Sequence, residues 1–138
     1  MALEKLRDTW EGILNPLLDT LENVKPSTVT WVALPVGILG GLAVLTADDT
    51  SYGANMLLGG GLLMILAMAM DGLDGPLARK FGYVSRWGDY LDHTFDRLLD
   101  AIWLLCISGS VFVGDFTLGL VAAWLTLIGS YMGTQAQA

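Results

Sequence analysis

Four aspartates, Asp71, Asp74, Asp92 and Asp96, fall within the stretch "DGLDGPLARKFGYVSRWGDYLDHTFD", directly after the apolar run "MLLGGGLLMILAMAM". Carboxylates beside lipid are costly, so four of them require a chemical reason. Asp71 and Asp74 are three apart and share one face if the helix of the apolar run continues; Asp92 and Asp96 are four apart and share a face of the next helix. A short loop between two such helices would bring both pairs together. Four unscreened carboxylates repel one another, and some take up protons unless cations are present. An oxygen-only donor set suits hard cations such as Mg²⁺ or Mn²⁺, which commonly bridge substrate phosphates. A carboxylate left weakly coordinated can serve as general base. Arg79 stands five residues beyond Asp74, and its guanidinium fork matches a phosphate. Gly75 and Gly88 remove side chains beside the acids and let a bulky substrate approach the backbone. A single Asp at a helix end is ordinarily a cap or a dipole partner. Four at these spacings, with an arginine and two glycines, point to diphosphate chemistry.

The elements that position these residues are apolar. The spacing of Leu3, Leu6, Trp10, Ile13, Leu14, Leu17 and Leu21 predicts an amphipathic helix over 2–23, with Glu4, Lys5, Asp8, Glu11, Asp19 and Glu22 on its other face. That pattern suits a helix lying in the membrane interface, and Pro16 is expected to bend or interrupt it. Helical spans are expected over 29–47, 54–72, 88–113 and 117–134. The first, at ~1.5 Å per residue, is long enough for a ~30 Å hydrocarbon core. Pro35 and the glycines of "GILGGL" suggest close packing or a kink, and "GGG" at 59–61 allows close helix approach. The expected fold is an all-α, polytopic membrane helical bundle with four spans, forming one domain over 1–138.

Composition agrees. The 138 residues are 54% hydrophobic and 15% charged, against about 25% charged in ordinary soluble domains. The net charge of −7 argues against a nucleic-acid partner, because phosphate backbones are met by basic patches. The single Cys106 excludes a disulfide framework and reads as a packing residue. Lys5, Arg7, Lys25, Arg79, Lys80, Arg86 and Arg97 all precede the first span or fall between the second and third. The positive-inside rule therefore places the amino terminus and the aspartates on the cytoplasmic side of the cell membrane.

As a pattern the stretch is D-x2-D-G-x2-A-R-x8-G-x3-D-x3-D, formed by Asp71, Asp74, Gly75, Ala78, Arg79, Gly88, Asp92 and Asp96. This resembles the signature of the CDP-alcohol phosphatidyltransferase family. The likeness extends to the preceding helix and to a Pro-x3-Thr approach to the first span, Pro26 and Thr30. The resemblance implies an integral membrane enzyme of phospholipid biosynthesis, moving a phosphatidyl-type or ether-lipid group from a CDP-linked lipid donor to an alcohol acceptor with release of CMP. It implies that Asp71, Asp74 and Asp92 hold Mg²⁺ or Mn²⁺ in a two-ion site. Asp96 would be the base and would also touch the second ion. Gly75, Ala78, Arg79, Gly88 and, from the first span, Thr30 would hold the nucleotide. Relatives tend to form homodimers, and the Gly- and Ala-rich spans suit that.

The chain departs from the family in two respects. Members usually have six spans, against four expected here, so the domain is expected to be incomplete at its C-terminus. Relatives using phosphorylated acceptors often carry bases after a Ser-Tyr; Ser130 and Tyr131 are followed by none up to Ala138, so inositol phosphate or glycerol phosphate as acceptor would need bases from beyond Ala138, and the acceptor alcohol stays open. His93, directly after Asp92, is similar to the amino-alcohol branch and to archaeal-looking members, and sits about 100° around the helix from Asp92. Two other readings use the same acids. An intramembrane prenyltransferase would need diphosphate-binding acids on two separate repeats, and one cluster is present. A cation-coupled transporter would place its acids near the middle of the spans.

Overall fold

The computed structural model describes residues 14–136. Those residues form helices and connecting turns. Helix α1 is described over residues 14–20, followed by α2 (Pro26–Thr46), α3 (Ser51–Phe81), α4 (Arg86–Gly109) and α5 (Phe116–Ala136). The amphipathic helix expected over 2–23 lies largely outside the described residues. Its described part runs through Pro16 without interruption, and its apolar side docks on the bundle, with Leu14 and Leu18 buried against Val29 and Leu77. Lys80 Nζ ties it down from α3, donating to Asn15 O and Oδ1 (3.2 and 3.0 Å) and pairing with Asp19 Oδ1 at 2.6 Å.

Three helices, α2, α3 and α5, are long and apolar enough to cross a membrane, with mean hydropathy of 1.9, 1.9 and 1.5. Helix α4, expected as the third span, is not among them by composition, because Asp89, Asp92, Asp96, Arg97 and Asp100 fall between its start and residue 100. It also stops at Gly109 rather than at 113, capped by Ser110. The outward faces of α3 and α5 expose Leu58, Leu62, Ile65, Trp124 and Leu125, as lipid-facing surfaces do. Pro35 and Pro76 both lie inside continuous helices.

Helix α2 lies between α3 and α4. It runs antiparallel to α3: a Cβ on Gly40 would lie 2.9 Å from Gly60 O, and one on Gly60 2.8 Å from Gly40 O. Only paired glycines allow that approach. It runs parallel to α4. There Trp31 meets Phe95 edge-on at 4.9 Å, Trp103 Nε1 donates to Gly37 O (2.8 Å), and Gly41 faces Cys106. Helix α5 packs back on α4 through Gly119 and Ser108. Cys106 is buried and unbonded, as expected of a packing residue.

This arrangement gathers the start of α2, the end of α3 and the start of α4 at one end of the bundle. The link from α3 to α4 is tight because Gly82 adopts φ 73°, and its own N–H and that of Tyr83 both reach Ala78 O. A left-handed glycine closing a helix in this way is an ordinary C-terminal stop. Ser85 then accepts from Gly88 N (3.0 Å) and starts α4.

Candidate active site

The sequence separates the two aspartate pairs; the fold joins them. Asp71 and Asp74 lie on α3, which continues past the apolar run as the spacing required, and Asp92 lies on α4. One carboxylate oxygen from each of the three can be chosen so that all lie within 4.8 Å of one another. Asp74 is buried, and Asp71 and Asp92 are half-buried. Asp96 joins them through a hydrogen-bonding contact between its carboxyl group and that of Asp71. Two ionised carboxylates in contact repel, an arrangement that a shared cation would relieve.

The donor set fits a hard cation. It consists of carboxylate oxygens only, grouped within the described residues. Two oxygens on one Mg²⁺ at ~2.1 Å are at most ~4.2 Å apart, so side-chain adjustments of a few tenths of an ångström would close a one-ion site.

A cleft of ≈ 380 Å³ opens beside the carboxylates. Seven of the residues singled out from the sequence line it: Thr30, Asp74, Gly75, Ala78, Arg79, Gly88 and Asp92. Asp71 and Asp96 do not line it. The Thr30 hydroxyl donates to Asp74 Oδ2 (2.5 Å), and its oxygen lies 3.2 Å from the Pro26 carbonyl. Both partners are buried, so water does not compete for this bond. Thr30 therefore orients a carboxylate as well as lining the cleft. A Cβ on Gly75 would press on Arg79 Nη1 at 3.3 Å and one on Gly88 on Ser85 Oγ at 3.2 Å, so side chains there would crowd the wall.

Sequence reading missed Lys25, Ser27, Tyr83 and Trp87 in the cleft wall. Ser85 could have been found from its capping spacing to Gly88; the others carry no local signal. His93 is exposed, its Nε2 lying 3.6 Å from Asp89 Oδ1 and apart from the three clustered carboxylates. Arg97 forms a bridge along α4, its Nη2 3.5 Å from Asp96 Oδ2 and its Nη1 3.2 Å from Asp100 Oδ2.

Apolar helices long enough to cross a membrane, a carboxylate cluster at one end of them and a glycine-lined cleft beside it together describe a helical membrane protein with a polar site at the end of its spans. The chain belongs to the CDP-alcohol phosphatidyltransferase family, which it matches over residues 23–134. It is 45% identical over 133 residues to an archaetidylinositol phosphate synthase of Pyrococcus horikoshii, covering 94% of this chain and 63% of that one. It is 41% identical over 101 residues to a phosphatidylinositol phosphate synthase of Cutibacterium acnes, covering 72% and 45%. An archaetidylinositol phosphate synthase of Methanothermobacter thermautotrophicus is 31% identical over 132 residues, covering 94% and 67%. The chain thus spans about half to two thirds of the length of these relatives. No solved structure matches it.

Proposed function

We propose that this chain carries the catalytic end of a phospholipid synthase that transfers a phosphatidyl-type or ether-lipid group from a CDP-linked lipid to an alcohol and releases CMP. The observation that supports it best is the meeting of Asp71, Asp74, Asp92 and Asp96 beside a cleft holding Gly75, Arg79 and Gly88. The names of the relatives favour inositol phosphate as acceptor, a choice that the base-free residues after Tyr131 leave open.

In this reading the cleft takes the cytidine diphosphate, with Arg79 on its phosphates and Gly75, Ala78, Gly88 and Thr30 around it. Asp71, Asp74 and Asp92, with Asp96 at the margin, would hold two Mg²⁺ or Mn²⁺ ions. Such ions, when bound, neutralise charge on the diphosphate and on the departing CMP. Asp96 removes the proton of the acceptor hydroxyl. The acceptor oxygen forms the new bond to the lipid-bearing phosphorus in line with the departing oxygen. The phosphorus–oxygen bond to CMP breaks, and its electron pair leaves with CMP. Alignment of the two reactants and fixed charges supply most of the acceleration.

The bases favour a cytoplasmic site: Lys25, Arg79, Lys80 and Arg86 all gather at the aspartate end of the bundle. Homodimerisation belongs to the same proposal, supported by Gly59 and Gly61 on α3, which face open space. Family membership weighs against both the prenyltransferase and the transporter readings.

The test is a calorimetric titration of the purified chain with CDP and CMP, with and without Mg²⁺ or Mn²⁺, beside Asp71→Asn. Metal-dependent binding that the variant loses is expected. Binding indifferent to metal, or kept by the variant, would remove the proposal.

A further inference from the structure

Helix α1 is seated across the seam between α2 and α3, the two helices joined by the Thr30–Asp74 bond. Leu14 and Leu18 form one buried cluster with Val29 of α2 and Leu77 of α3. Val29 directly precedes Thr30, and Leu77 lies three residues after Asp74 on a continuous helix, so it shares a side of α3 with it. Leu18 is 2% exposed and Leu77 0%, so α1 closes this cluster to water. At the site end α2 and α3 are therefore joined twice: by the buried Thr30–Asp74 bond and, within a turn of it, by an apolar contact that α1 completes.

The link that holds α1 in place is polar. Lys80 Nζ has three donors, and its three contacts all go to α1: Asn15 O at 3.2 Å, Asn15 Oδ1 at 3.0 Å and Asp19 Oδ1 at 2.6 Å. The Lys80 side chain is 26% exposed and that of Asp19 66%, so water competes for the ion pair. A pair of this kind shifts an equilibrium by up to about fivefold, which makes it a latch that can open rather than a permanent tie. Arg79, the next residue back along α3, borders both the nucleotide cleft and a cavity of ≈ 240 Å³ that Asn15, Leu18, Pro76 and Lys80 also line. Departure of α1 would remove one wall of that cavity and open the surroundings of Arg79 to water.

We propose that Lys80 is a positioning residue for the nucleotide cleft. By latching α1 through Asn15 and Asp19, it keeps Leu14 and Leu18 in the α2–α3 seam, which holds Thr30 against Asp74 and Arg79 at the cleft wall. This rests on the phospholipid-synthase reading and adds to it a control on donor affinity exerted from outside the cleft. No described residue of α1 lines the cleft, so α1 acts on it through the seam. Where the competent arrangement is only fractionally populated, apparent affinity falls by that fraction. Release of α1 therefore lowers CDP affinity although every group that meets CDP is still present.

The sign of the effect separates the latch from direct electrostatics. CDP is an anion. Exchanging the Asp19 carboxylate for an ammonium would, by Coulomb attraction alone, strengthen CDP binding. Loss of the latch weakens it.

The experiment is a calorimetric titration with CDP and Mg²⁺ of the wild-type full chain, Asp19→Lys, and the double variant Asp19→Lys with Lys80→Asp. Hydrogen exchange of the amides of residues 14–20 is followed in parallel, and a thermal scan establishes folding. A lysine opposite Lys80 turns attraction into repulsion. The expected result for Asp19→Lys is faster exchange in α1 and CDP affinity about three- to tenfold weaker than wild type. The double variant, with the pair restored in reverse, should bind CDP more tightly than Asp19→Lys alone and regain slow exchange. Direct charge effects give the opposite order in both comparisons. CDP affinity in Asp19→Lys equal to or above wild type overturns the inference, as does a double variant no tighter than Asp19→Lys, or a loss of affinity with unchanged exchange in α1. If Asp19→Lys does not fold, Asp19→Ala decides by the same sign: weaker binding supports the latch, and equal or tighter binding overturns it. Failure of wild type to bind CDP overturns the functional reading and this inference with it, whereas wild-type binding that Asp19→Lys retains overturns the inference alone.

Discussion

Replacing Thr30 by valine removes one hydroxyl and keeps the shape of the side chain. In the structure that hydroxyl donates to Asp74 Oδ2 from a position where Thr30 is 4% and Asp74 6% exposed. Both side chains are thus largely shielded from water that could replace it. A hydrogen bond to a charged group contributes about 1.5–3 kcal/mol, which is ~10–150-fold in an equilibrium constant. Removing a partner that orients a metal-binding carboxylate generally costs ~10–100-fold in affinity. The two ranges overlap, so Thr30→Val should weaken Mg²⁺-supported CDP binding by about 10–100-fold. Thr30→Ser, which keeps the donor, should stay within a few fold of wild type. Calorimetric titration of the three proteins, with a thermal scan to establish folding, makes the comparison. If Thr30→Val binds within twofold of wild type, or if Thr30→Ser falls as far as Thr30→Val, the hydroxyl does not orient Asp74 and the reasoning fails.

Asp96→Asn should leave metal-supported CDP binding within a few fold of wild type while abolishing transfer to the acceptor; turnover above a tenth of wild type would show that Asp96 is not the base. Gly40→Ala puts a methyl 2.9 Å from Gly60 O and should cost about 1–3 kcal/mol in detergent unfolding, whereas Gly61→Ala, facing open space, should be neutral or stabilising by up to about 1 kcal/mol. Equal effects at the two sites would refute the packing of α2 on α3. In the turn before α3, Thr50 donates through its hydroxyl and its N–H to Asp48 and holds that carboxyl below its usual 3.8. A lowered value means that the contribution is complete above the unfolded value and disappears as pH falls through the folded one. Asp48→Asn should therefore be less stable than wild type near pH 6 and lose that deficit below about pH 3.8; a pH-independent difference would exclude the charge as its source.

The carboxylate site was legible because its rules are local. Spacings of three and four on helices fix faces, and Asp71, Asp74, Asp92 and Arg79 needed only a short link to meet. The long-range partners were not legible in the same way. Thr30 and Asp74 are 44 positions apart, and Trp103 and Gly37 are 66 apart; no periodicity relates them. The spans over α2, α3 and α5 followed from apolar length alone. Helix α4 was harder to read, because chemistry and membrane depth compete for the same residues and its acids lower its hydropathy. The docking of α1 was also hidden, since an apolar stripe looks the same whether it faces lipid or, as Leu14 and Leu18 do, the chain's own helices.

Helix α2 carries none of the four aspartates, yet it is the spacer between the helices that do. Gly40 seats α3 on one flank, while Gly37 and Gly41 seat Leu99, Trp103 and Cys106 of α4 on the other. The distance between the two halves of the carboxylate cluster is thus a thickness, that of one glycine-thinned helix. Thickening this shim by a methyl, several turns from the acids, would spread the pairs without touching a donor atom. In the proposed metal site, preference between ions of different radius would therefore be set from the interior of the bilayer, as the jaws of a gauge are set by the leaf placed between them.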